Sequence, residues 1–188
     1  MANKDAAFGL RPIGKVGQNR DAQGLSEYKI AANDSSTIYF QDLVKVQATG
    51  YVDVAAAGAI GLAGSLNGVF YTDPNTKKPT WANHYSQVNA SDTVAFVSDD
   101  PYERFEIQCN STANQADVFL NADITYAAGD SANYVSKVEL AKASLDTDSA
   151  QLRIIGISKD PENNDTASAN VNLVVTINEH YLKSATGI

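Results

Sequence analysis

Val171–Asn178 reads VNLVVTIN. Val171, Leu173, Val175 and Ile177 fall on one side of an extended chain, and Asn172, Val174, Thr176 and Asn178 on the other. This period of two predicts a strand with one face in a core and the other partly wet. Nine more short alternating or β-branched runs lie N-terminal to it: Tyr28–Ala32, Thr37–Phe40, Leu43–Gln47, Tyr51–Ala55, Gly68–Thr72, Thr93–Ser98, Arg104–Cys109, Val135–Leu140 and Leu152–Ser158. Turn clusters of Asn, Asp, Ser and Gly separate them. Three of the five prolines follow an aspartate, at Asp73-Pro74, Asp100-Pro101 and Asp160-Pro161, a pair that ends an extended stretch and starts a turn. Many short strands with regular punctuation predict a mainly β protein, a compact barrel or sandwich.

Helix is confined to two short windows, Gln115–Ala122 behind Asn114 as N-cap, and Leu140–Leu145. Tyr71–Tyr85, YTDPNTKKPTWANHY, holds two prolines and two lysines and predicts a long exposed loop. Gly58, Gly61 and Gly64 recur every third residue. No helix-forming run and no Lys-Ser/Thr follow them, so they fit close backbone contact in a strand or turn better than a phosphate cradle.

Residues 1–24, MANKDAAFGLRPIGKVGQNRDAQG, keep neither period. Four glycines and Pro12 interrupt any helix, and Phe8, Leu10, Ile13 and Val16 share no face. Lys4, Arg11, Lys15 and Arg20 against Asp5 and Asp21 give this segment +2, and the other ten cations and twenty carboxylates give the rest −10. The expectation is an extended N-terminal arm suited to lying on another protein, followed by a β-rich body over 25–188, as one domain or two small lobes.

A net charge of −8 argues against direct nucleic-acid binding, which needs clustered Lys and Arg. The most apolar run, Ala55–Gly64, is about half the length of a membrane helix, and no apolar stretch of signal-peptide length follows the first residues. The four N-x-S/T sequons therefore read as polar turns. One cysteine, Cys109, excludes an internal disulfide and fits a buried thiol. His84 and His180 have no nucleophile motif beside them, and no G-x-S-x-G elbow occurs. Asp146–Ser149 and Asp160–Asp165 collect oxygen ligands without the spacing of a calcium loop. No enzyme, metal or cofactor is expected.

The aromatic set is skewed, with nine tyrosines against six phenylalanines and one tryptophan. Tyr71, Trp81 and Tyr85 fall in or beside the long loop with Lys77 and Lys78, a mixture favoured at protein interfaces and also able to stack on sugars.

Five segments in order carry a resemblance. ANKDAAFGLRPIG, GVFYTDPNTKKPTW (Gly68–Trp81), VAFVSDDPYERFEIQ (Val94–Gln108), RIIGISKDPENN (Arg153–Asn164) and VNLVVTINEHYL (Val171–Leu182) together resemble small virion structural proteins of tailed phages, especially marine ones, that decorate the head. The resemblance implies a non-enzymatic capsid decoration, or cement, protein. Such a protein is assembled in the host cytoplasm, sits on the capsid exterior as a trimer or dimer, and bridges subunits of the major capsid protein. Phe8, Leu10, Arg11, Pro12 and Lys15 of the arm, with Tyr71, Trp81 and Tyr85, are then the candidate contact residues. A tail or neck component, or a glycan or host-surface adhesion module, is the alternative.

Overall fold

Fifteen strands and three single turns of 3-10 helix make up the regular backbone of the computed structural model, which describes residues 2–17 and 24–184. In chain order the first strands are β1 (Arg11–Lys15), β2 (Ser26–Lys29), β3 (Thr37–Ile38), β4 (Leu43–Val46) and β5 (Val52–Val54). Next come β6 (Leu62–Thr72), β7 (Pro79–Ala82), β8 (Tyr85–Ser86), β9 (Val94–Ser98) and β10 (Glu103–Gln108). The last are β11 (Asn121–Ala122), β12 (Ile124–Thr125), β13 (Glu139–Leu140), β14 (Leu152–Ile157) and β15 (Asn172–Ile177). The protein is mainly β, with sandwich-like antiparallel sheets and no closed barrel. Among the described residues no helix is long and apolar enough to cross a membrane.

β15, the alternating run that opened the reading, lies at the centre of a five-stranded sheet ordered β1-β10-β15-β14-β11. Leu173, Val175 and Ile177 point with Phe105, Ile107, Leu152 and Ile154 into the larger core. The second sheet runs β2-β9-β6-β4-β5, with β7 added to β6. Leu43 and Leu62 of this sheet reach the larger core, whereas their neighbours Val44 and Ala63 enter a second core with Ile30, Ile38, Leu66, Val69, Tyr85, Ala95 and Val97. The two cores therefore meet on β4 and β6. A strand covered on both faces cannot alternate, which is why the buried start of β6, LAGSL, reads as small and apolar throughout. Of the glycine series Gly64 shows the expected close contact, a Cβ there lying 2.0 Å from the Ser98 carbonyl oxygen; Gly58 has open space around it, and Gly58 and Gly61 instead take left-handed backbone at φ 70° and 69°.

All ten expected strands contain ladder residues, although Val135–Leu140 contributes only β13 and a bridge from Val135 to Phe40. The helical windows shrink to single turns, Gln115–Asp117 and Lys142–Ser144. Asn114 caps the first as expected, accepting from the Ala116 amide at 2.9 Å. Cys109 is a buried free thiol, its pKa pushed up by that burial.

Two expectations are corrected. Tyr71–Tyr85 is not one long loop: it is exposed over residues 75–79, but β6 runs to Thr72, β7 begins at Pro79, and the turn between them closes the β6–β7 hairpin. The Asp73 carboxylate accepts from the amides of Asn75 (2.7 Å) and Thr76 (2.9 Å), and the Asp73 amide donates to Lys78 O at 3.0 Å. Its prolines are compatible with this, since Pro74 sits in the turn and Pro79 begins an edge strand. The arm is extended, but it lies on its own body. Leu10 is fully buried in the larger core, and β1 adds to the edge of the first sheet against β10. Residues 18–23 of that arm, Arg20 and Asp21 among them, lie outside the described residues.

Candidate functional site

Of the eight candidate contact residues, the structure leaves one large ring facing solvent. Leu10 and Tyr85 are both 0% exposed and serve the two cores, so neither is open to a partner. Tyr71 packs half-buried against the second core. Phe8 is half-buried beneath the Arg11 guanidinium, 4.6 Å from its ring centre. Arg11 also forms an ion pair with buried Glu106, which accepts from Ser158 as well. Pro12 lies in β1 opposite Phe105, and Lys15 pairs with Asp100 at 2.9 Å. These arm contacts are intramolecular. Gln108 extends the set by donating to Lys4 O (2.9 Å) and accepting from the Ala6 amide (3.0 Å).

Trp81 is 53% exposed and stands on β7. Strand register explains its surroundings. Trp81 lies opposite Phe70 on β6, Phe70 opposite Val94 on β9, and Val94 opposite Lys29 on β2. In the adjacent row Gly68 lies opposite Phe96, and Phe96 opposite Glu27. Intervening residues Tyr28, Val69, Ala82 and Ala95 face the second core, so these two rows form the outer face of the sheet. The Trp81 and Phe96 ring centres are 5.2 Å apart at 48°. Gly68 makes this packing achievable, because a Cβ there would lie 2.5 Å from the indole Cζ2. Phe70 is 42% exposed beside it. The result is an aromatic platform of tilted rings with Lys29 and Glu27 at one border.

Phe70 and Phe96 were not singled out from sequence. Their signal is the pairing of β6 with β7, which is invisible while Tyr71–Tyr85 is read as a loop.

The histidines have structural partners. His180 is buried, its pKa lowered by that burial, and its Nδ1 accepts from the Leu182 amide at 3.1 Å. His84 stacks on Tyr134 with ring centres 3.6 Å apart, and burial lowers its pKa too. Among the described residues no group of three or more His, Cys, Asp or Glu side chains is placed to hold a metal ion. What the platform offers chemically is apolar and π contact area at low conformational-entropy cost.

Comparison with known proteins returned no matching family model, no matching curated protein and no matching solved structure.

Proposed function

We propose that this protein is a capsid decoration protein of a tailed phage, docking on the outside of the major capsid protein lattice and stabilising the DNA-filled head. The ordered five-segment resemblance supplies the class. The observation that carries a binding role is the pair of exposed rings, Trp81 and Phe70, with half-buried Phe96 packed beside Trp81 on a hydrogen-bonded sheet. Preformed aromatic area of this kind suits an anchor that must dock without folding first. The arm, occupied by its own body, instead holds together the fold that presents this face.

The test uses undecorated particles of the parent phage. Wild-type protein at saturation should raise the temperature at which full heads release DNA, because a ligand of the assembled shell stabilises it by mass action. Trp81→Ala should weaken shell binding by about 2 kcal/mol or more, the loss expected of a central aromatic anchor. Equal release temperatures with and without protein would remove the cement role. Glycan adhesion is the second reading, favoured by the same half-exposed indole; a Trp81-dependent affinity for host-surface glycans with no binding to shells would select it.

A further inference from the structure

Phe119 combines two properties that stability alone disfavours. Its ring is 77% exposed, and its backbone is left-handed at φ 79°. The Phe119 amide donates to Ile154 O at 2.9 Å, and the Ile154 amide donates to Leu120 O at 3.0 Å. Two residues thus face one, a β-bulge whose left-handed first position is ordinarily glycine. A bulky side chain there is strained, and this one is not repaid by burial. The bulge re-aims the chain just before β11, the edge strand of the first sheet. Beside it Arg153, opposite Asn121 in register, is exposed and donates through Nε to Asn121 Oδ1 at 2.9 Å.

Elsewhere on the molecule a cleft of about 510 Å³ opens between the N-terminal segment and residues 127–139. Methyl groups of Ala6 and Ala127 line it, with carboxylates of Asp5, Asp130 and Glu139 against a single lysine, Lys137. Burial and the neighbouring Asp5 charge push the Glu139 carboxyl up, so a cation brought here would relieve a repulsion. The cleft has room for a phenyl ring, and its charge is the complement of Arg153.

We infer that Phe119 and this cleft are the two halves of a head-to-tail contact between copies of the chain, with the ring of one copy in the cleft of the next and Arg153 facing the carboxylates. Such a contact is heterologous: a pair of copies retains a free cleft on one and a free ring on the other, and closure gives a ring of subunits. The contact uses neither Trp81 nor the sheet face assigned to the shell, so its failure leaves that reading standing.

Sedimentation of the full chain over a concentration series tests it. Wild-type protein should associate, more weakly at high salt. Phe119→Gly and Phe119→Asn, both suited to a left-handed residue, should each weaken association at least tenfold. At monomeric dilution each should also melt no lower than wild type, with a gain of about 2–4 °C if most of the strain is released. Ala127→Trp should block the cleft from an exposed position. A mixture of Phe119→Gly with Ala127→Trp retains one intact ring and one intact cleft, so it should form a one-to-one dimer although neither variant associates alone. A monomeric wild type, unchanged association of the Phe119 variants, or no dimer in the mixture would each overturn the contact.

Discussion

Replacing Leu10 with alanine separates two roles for the N-terminal segment, partner anchor and core residue. Leu10 is 0% exposed in the larger core, its amide donates to Gln41 O at 2.9 Å, and its carbonyl accepts from Ser65 Oγ at 2.6 Å. Those backbone bonds hold residue 10 in place when the side chain is truncated, so the site cannot simply collapse. Loss of a fully buried leucine with little relaxation costs about 2–5 kcal/mol. For a chain of 188 residues, about 3 kcal/mol corresponds to a fall in Tm of roughly 6–12 °C. Urea denaturation followed by tryptophan fluorescence and circular dichroism should show a lower midpoint with an unchanged slope. A variant within about 0.5 kcal/mol of wild type that no longer binds shells would refute the core assignment and return Leu10 to the role of partner anchor.

Asp42, fully buried, has its carboxyl raised from the usual range to about 6, chiefly by burial. The folded state therefore holds a proton that the unfolded chain has released, and stability from this group is lost as pH rises from about 4 through about 6, by up to about 3 kcal/mol. The Tyr39 amide donates to Asp42 Oδ2 at 2.8 Å; Asp42→Asn can keep that acceptor and should flatten urea midpoints between pH 4.5 and 7, and parallel pH profiles would sink the assignment. Glu106→Gln should cost about 1–2 kcal/mol in urea melts by weakening the buried end of its pair with half-exposed Arg11. Gly64→Ala forces a Cβ to 2.0 Å from backbone oxygen on β9; it should cost about 3 kcal/mol or more, and near-wild-type melting would contradict the packing there.

The strand content of this protein was legible in residue order because a half-buried strand writes its two faces into alternate letters, as VNLVVTIN does. Turn chemistry was local too: the Asp-Pro pairs and the Asn114 cap act through hydrogen bonds within a few residues. The arm was harder. β1 earns its place by pairing with β10, some ninety residues away, and Leu10 is a core residue only because the fold gathers it into one cluster with Leu43, Leu62 and Phe105. β7 was hidden for the same reason, since Pro79 and the lysines argue against a strand until an edge position beside β6 makes them acceptable. The aromatic face and the left-handed Phe119 lie furthest from the letters. Register across β7, β6, β9 and β2 assembles the first, and a bulge opposite Ile154 imposes the second. Local physics determined what the segments of this chain are; which side chains stand free on the surface is set by long-range pairing, which no window of sequence contains.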